Sequence, residues 1–306
     1  MTTMMIDKRR MAPHRWMVAL TVMFLAGLAV AGSAQAQDRP ADAAPGSDAD
    51  IAADTADRDT VSVGGGFAYL PSYDGSNDYV VVPIAAVRGR VSGYDFSTRG
   101  TQASVDVWRN ATGPGYNFQV GPVVSIDLNR TGRIVDPQVR ALGKRRLAVD
   151  IGGYVGLSKT GVVTSRYDTL GARISVAQDV TGVHGSYIII PSIDYGTPLS
   201  RRSYAGLSLS ATIVGDGYAR TYFAVDAPGS LASGLPVFAN PKGGLKNLTA
   251  TALFTRSLTG DLRHGLGIYI GGSYSRLQGD FARSPIVSVA GSANQWLGAI
   301  GLGYTF

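Results

Sequence analysis

The chain ends Trp296-Leu297-Gly298-Ala299-Ile300-Gly301-Leu302-Gly303-Tyr304-Thr305-Phe306, and these residues sort into two sets by alternation. Trp296, Gly298, Ile300, Leu302, Tyr304 and Phe306 fall on one side; Leu297, Ala299, Gly301, Gly303 and Thr305 fall on the other. Successive side chains of a strand point to opposite faces. One face is therefore apolar with aromatic residues at both ends, and the other is mostly small. A membrane-spanning barrel places aromatic girdles at the two ends of its lipid-facing band. The terminal Phe306, with Tyr304 two residues before it, has the form of an assembly signal read by the outer-membrane barrel assembly machinery.

The same period of two runs from Val61 onward. Leu207, Leu209, Ala211 and Ile213 interleave with Ser208, Ser210 and Thr212, and Leu248, Ala250, Ala252 and Phe254 interleave with Thr249, Thr251 and Thr255. A soluble sandwich also alternates. Here, however, the polar face is Gly, Ser and Thr rather than Lys and Glu, which suits a crowded lumen better than open water. About twelve strands are expected, at 61–70, 80–90, 92–99, 102–109, 115–129, 145–159, 162–179, 184–197, 202–216, 246–259, 262–277 and 294–306. One miscounted hairpin in 85–110 would give ten. Connections after even strands are short, and those after odd strands include all the long ones (71–79, 130–144, 217–245 and 278–293). An up-and-down transmembrane antiparallel β-barrel with both termini in the periplasm has this arrangement, so the fold class is all-β. On the inward parity Tyr154, Tyr269, Arg173, Asp150 and Asp194 are expected to fill much of a narrow lumen.

Residues 1–36 have the three parts of a signal peptide. Lys8, Arg9, Arg10 and Arg15 are basic, Trp16 to Val30 is apolar, and Ala34-Gln35-Ala36 is a small-residue cleavage site. The apolar run is shorter than the roughly 20 residues a helical anchor needs. Export followed by residence in the cell outer membrane is the expected path. Residues 37–60, with two Arg against seven Asp and no aromatic residue, are expected to be a disordered periplasmic leader. Residues 61–306 would then be the barrel.

The chain carries 28 basic and 22 acidic residues. Without Lys8, Arg9, Arg10, Arg15 and Asp7 the balance is 24 to 21, which gives no argument for nucleic acid. Every acidic residue is Asp and there are five Lys, whereas exposed helices favour Glu and Lys. Forty Gly and 15 Tyr point to strands and tight turns instead. The absence of Cys excludes disulfides and thiolate chemistry.

Several segments resemble the MipA/OmpV family of outer-membrane proteins. Pro71-Ser72-Tyr73-Asp74-Gly75-Ser76-Asn77-Asp78-Tyr79 with Pro83 is similar to that family's first loop. Tyr218, Tyr222-Phe223-Ala224-Val225 and Ala232-Ser233-Gly234-Leu235 are similar to its large loop. Leu277, Gly279-Asp280 and Ser284-Pro285-Ile286-Val287 match the last loop, and Gly303-Tyr304-Thr305-Phe306 the terminus. The family usually has Gly where Ala224 stands. The resemblance implies a non-catalytic scaffold linking a lytic transglycosylase and a murein synthase to the outer membrane. The alternative is a small-solute diffusion channel, or an adhesin or stress-response barrel acting through its outer loops. Family-wide catalytic or ligand residues are not implied, and turn chemistry alone accounts for Asp74-Gly75 and Pro285.

Chemistry-bearing residues are few. Only His184 and His264 follow the signal, and they fall at opposite rims, too far apart to share a site. Asp179 and Ser186 stand near His184 and leave a dyad conceivable, but an interfacial imidazole at a strand end is the plainer expectation. No metal-ligand spacing occurs, and Gly64-Gly65-Gly66 lacks the helix and Lys of a phosphate loop. Neither catalytic, cofactor nor metal residues are therefore expected. Arg130, Arg133, Arg140, Lys144, Arg145 and Arg146 surround a single Asp136 on an outer loop. Such a cluster would face lipopolysaccharide phosphates, since Arg binds phosphate in bidentate fashion. A merely solvated loop is the alternative.

Overall fold

The computed structural model describes residues 59–110 and 115–306. The proposed signal peptide lies outside them, as does the leader apart from Asp59 and Thr60. Twelve antiparallel strands close into a barrel in sequence order, with the first hydrogen-bonded to the last. They are β1 (Thr60–Pro71), β2 (Tyr79–Val91), β3 (Tyr94–Arg99), β4 (Gln102–Val105), β5 (Tyr116–Asp127), β6 (Ala148–Thr160), β7 (Thr169–Asp179), β8 (Tyr187–Ser200), β9 (Ser203–Val214), β10 (Gly244–Ser257), β11 (Gly265–Leu277) and β12 (Asn294–Thr305). No helix among the described residues is long and apolar enough to cross a membrane. Closure is what lipid demands, because an unpaired backbone group there costs several kcal/mol.

The expected parity is plain on β7 and β12. On β7, Thr169, Arg173, Ser175, Ala177 and Asp179 are buried, while Leu170, Ile174 and Val176 are exposed. Trp296, Ile300, Leu302 and Tyr304 of β12 face outward. Aromatic side chains mark both edges of this outer band. At one edge Tyr69 stacks on Tyr79 with centroids 4.9 Å apart, and Tyr274 meets Trp296 at 4.8 Å. At the other, Tyr304 meets Phe306 at 4.7 Å and Trp108 meets Phe118 at 5.5 Å. That second edge lies beside the termini and is periplasmic by the rule for such barrels.

The seam between β1 and β12 depends on small residues. A Cβ at Gly66 would stand 2.2 Å from the Ile300 carbonyl oxygen and 2.5 Å from the Gly301 Cα. Only glycine fits there.

The two strands that fall furthest short of the expected ranges are β4 and β7, and an aspartate stands at the shortened end of each. β4 ends at Val105, although the N–H groups of Asp106 and Val107 still donate to the carbonyls of Asp95 and Val120. The Asp106 carboxylate then accepts the N–H groups of Trp108 (3.0 Å) and Val120 (3.2 Å) and turns the chain beyond Val107. β7 begins at Thr169 rather than 162. The Asp168 carboxylate gathers the N–H groups of Val162 (2.7 Å), Val163 (2.8 Å) and Thr164, and curls 162–168 into a turn.

The long loops are not plain coil. They carry five short helices: α1 (Pro137–Ala141), α2 (Asp216–Phe223), α3 (Ala227–Ser233), α4 (Gly279–Arg283) and α5 (Pro285–Ser288). Their apolar residues form two buried clusters. One joins Val214, Tyr218, Tyr222, Phe223, Leu277, Phe281 and Val287. The other joins Tyr73, Ile134, Val139, Val225, Leu235 and Ile286. The four long loops thus pack together as a cap with its own core over the outer mouth.

Candidate functional site

Beneath the cap, polar side chains are held in two layers. The upper layer ties the cap to the barrel. Lys246 Nζ donates to Asp74 Oδ2 at 2.8 Å and lies 3.2 Å from the Tyr218 hydroxyl. A β-bulge between Leu245 and Asn247 in the β9–β10 pairing makes this contact available. An extra residue breaks the alternation, so Lys246 turns inward although Leu245 and Leu248 both face out. Burial drives the Tyr218 hydroxyl well above its ordinary pKa, and the carboxylates of Asp127 and Asp74 add to the effect. It stays a neutral donor.

His184 is not the interfacial residue its position suggests. The Asp179 carboxylate accepts the backbone N–H of His184 (2.7 Å) and Gly185 (2.8 Å), which pulls the 180–186 loop inward. The imidazole is buried, with Nε2 3.0 Å from Asp150 Oδ1 and its ring edge-on to Tyr218 at 5.2 Å. Asp179 therefore positions the loop, while Asp150 faces the ring. His264 sits in the β10–β11 turn at the opposite end of the barrel, where its N–H donates to Asp261. Among the described residues no three His, Cys, Asp or Glu are grouped to hold a metal.

The lower layer fills the lumen at mid-height. Arg173 lies over the Tyr154 ring at 3.6 Å, and Arg99 Nη1 reaches Asp194 Oδ2 at 3.0 Å. Ser192 and Ser208 also donate to Asp194. Arg173, Tyr154, Asp150 and Asp194 are all buried, as their inward parity implied; Tyr269 is half-buried.

The basic loop divides. Arg130 is 1 % exposed, and its guanidinium donates to the carbonyls of Gly143 (2.9 Å) and Tyr222 (3.3 Å). Burial and the neighbouring Arg145 charge lower its pKa to about 10, still charged at neutral pH. Arg145 donates to Thr221 O at 2.8 Å. These two hold the 128–147 loop to α2, and a phosphate would find them occupied. Arg133, Arg140, Lys144 and Arg146 are exposed on the outer surface. Tyr304 and Phe306 are exposed at the rim beside the termini.

An outer-membrane channel from Pseudomonas putida F1 superposes with a TM-score of 0.43 at 12 % identity, covering 81 % of this chain and 95 % of its own. The outer-membrane channel DcaP of Acinetobacter baumannii gives 0.36 at 9 % identity, with 81 % and 96 % covered. The toluene transporter TodX of Pseudomonas putida gives 0.32 at 10 %, with 81 % and 89 % covered. No curated protein sequence matches. The family model described as MltA-interacting protein MipA matches residues 63–306, nearly the whole barrel. This outer-membrane barrel therefore belongs to the MipA family.

Proposed function

We propose that this protein is a non-catalytic scaffold that holds a lytic transglycosylase and a murein synthase at the outer membrane during cell-wall remodelling. The family name supports a partner of the MltA type. The observation that carries the reading is double closure. A cap with an apolar core covers the outer mouth, and Arg173, Tyr154, Arg99 and Asp194 occupy the lumen below it. A barrel closed twice along its axis is poorly suited to bulk diffusion, and its work falls to its surfaces. Murein enzymes are periplasmic, so the partner surface is the periplasmic rim, which includes the turns 161–168 and 258–264. The separation of His184 from His264 gives no support to acid–base chemistry. On the outer face, Arg133, Arg140, Lys144 and Arg146 are the residues left to meet lipopolysaccharide phosphates.

The test is capture of periplasmic murein hydrolases and synthases on the purified outer-membrane protein. Retention of a lytic transglycosylase that survives washing in salt is the expected outcome. Failure to retain one, together with nanosiemens conductance steps in planar bilayers, would replace the scaffold with a diffusion channel.

A further inference from the structure

The barrel wall is incomplete on one side. β3 pairs with β2 only from Arg88 to Val91. At Val87 the ladder ends on a side chain, since Thr98 Oγ1 accepts the Val87 N–H (3.1 Å) and donates to its carbonyl (3.3 Å). β2 continues upward to Tyr79 with β1 on its other side. The tip of the β3–β4 hairpin turns away toward β5, where the Ile126 N–H donates to Thr101 O. The edge of β2 from Tyr79 to Ala86 therefore has no strand beside it.

The backbone period shows which groups this leaves open. The Val87 N–H faces β3, so the odd residues Ala85 and Val81 direct theirs to the same side, where no hydrogen bond among the described residues meets them. Pro83 lies on this side too and has no N–H to lose, the placement expected of proline at a sheet edge. An edge in hydrocarbon persists only where water or another polar group reaches it. The open stretch is thus the rim of an aperture rather than a wall against lipid.

The side chains around it are apolar on both faces. Tyr79-Val80-Val81-Val82-Pro83-Ile84-Ala85-Ala86-Val87 breaks the apolar-out, polar-in alternation of the other strands. Val81 faces lipid at 65 % exposure. Inside, Val80 and Val82 are only half-buried, as are the inward Leu70 of β1, Leu297 of β12 and Ile190 of β8. These inward aliphatic side chains, only partly covered and with the fully buried Ile84 below Val82, line a space above the Arg173–Tyr154 layer and beneath the cap. The aperture lies below the outer aromatic girdle, level with the acyl chains of the outer leaflet.

We infer that this upper chamber is a lateral binding site for a lipid acyl chain, entered from the membrane between β2 and the β3–β4 hairpin. The apolar rim accepts the chain, and the free N–H groups of Ala85 and Val81 are donors for an ester oxygen or for water drawn in with it. Axial closure by cap and plug is compatible with this sideways entry. The inference does not rest on the scaffold reading.

Brominated acyl chains quench a tryptophan they touch, which gives a direct test. The outer-membrane protein, with Trp108 and Trp296 replaced by Phe, is reconstituted in phospholipid with or without bromine on the chains. Single reporters are Val82→Trp or Val80→Trp in the chamber, Val81→Trp facing lipid, and Ser210→Trp facing the lumen from β9. Heat-modifiable gel mobility confirms that each variant is folded. The expected result is that Val82→Trp or Val80→Trp loses most of its emission, as Val81→Trp does, while Ser210→Trp keeps it. Protection of both chamber reporters, or quenching of Ser210→Trp to the same extent, overturns the inference.

Discussion

Arg130 and Arg133 are three residues apart in one basic loop and do different work. Arg130 is buried with two carbonyls on its guanidinium, and Arg133 is exposed. Hydrogen bonds to a charged group contribute about 1.5–3 kcal/mol each, so Arg130→Ala is expected to loosen the cap by about 3 kcal/mol or more. Trypsin should then cut at Arg140 or Lys144 in the folded barrel, with Arg133→Ala as the silent control. Conversely, neutralising Arg133, Arg140 and Arg146 together should lower lipopolysaccharide co-purification and leave trypsin resistance unchanged. Unaltered co-purification would mean that the rim is merely solvated. Asp168 gives a pH prediction. Burial opposes its ionisation, but the N–H groups of Thr164, Val162 and Val163 and the Tyr195 hydroxyl outweigh it and hold its pKa far below the ordinary carboxylate range. A depressed folded pKa contributes stability that is complete above the unfolded value of about 3.9 and is lost as pH falls toward the folded one. The amides of Val162 and Val163 should therefore stay protected from hydrogen exchange from neutral pH to below 4, as an order-of-magnitude window, and lose protection at neutral pH in Asp168→Asn.

At the scale of elements, the sequence was legible where one rule governs a whole segment. Period-two alternation located all twelve strands, because lipid on one side and a crowded lumen on the other impose opposite demands on neighbouring residues. It overran β4 and β7, since it does not register that Asp106 or Asp168 can draw backbone N–H groups out of the ladder. The cap escaped it, having no lipid face to set a period. Signals for its helices were nonetheless present. Asp136-Pro137, Asp226-Ala227-Pro228 and Ser284-Pro285 are helix starts, and Tyr218 and Tyr222 share one helical face. His184 against Asp150 and Lys246 against Asp74 were beyond reach. The first depends on the β6–β7 register and an inturned loop, the second on a bulge. These elements also separate the two closures. Excising 217–242 should uncover the mouth while the Arg173–Tyr154 layer still fills the lumen, so bilayer conductance should stay low. Adding Arg173→Ala and Tyr154→Ala should raise it; a rise on excision alone would assign the seal to the cap.

For the whole molecule, closure is a single event, and the β1–β12 seam is where it happens. Local strand pairs form by short hairpins, but Gly66 must find Gly301 across nearly the whole barrel. A side chain at Gly66 meets backbone, not the yielding end of another side chain, so the neighbouring strand has no small adjustment to make. Gly66→Val should therefore leave the seam open, with two sheet edges facing lipid at several kcal/mol per unpaired group, and the heat-modifiable form should be lost both in cells and in detergent refolding. Phe306 acts differently. Its side chain is exposed and stands against Tyr304, while the backbone N–H of Phe306 donates to Val61 O whatever the side chain. Phe306→Ala should refold in detergent with unchanged heat-modifiable mobility yet accumulate less in the outer membrane of cells. If the two variants failed alike in detergent, Phe306 would be part of the closing contact and its role as an assembly signal would be lost. If Phe306→Ala accumulated normally, the assembly machinery would be reading another feature of the last strand.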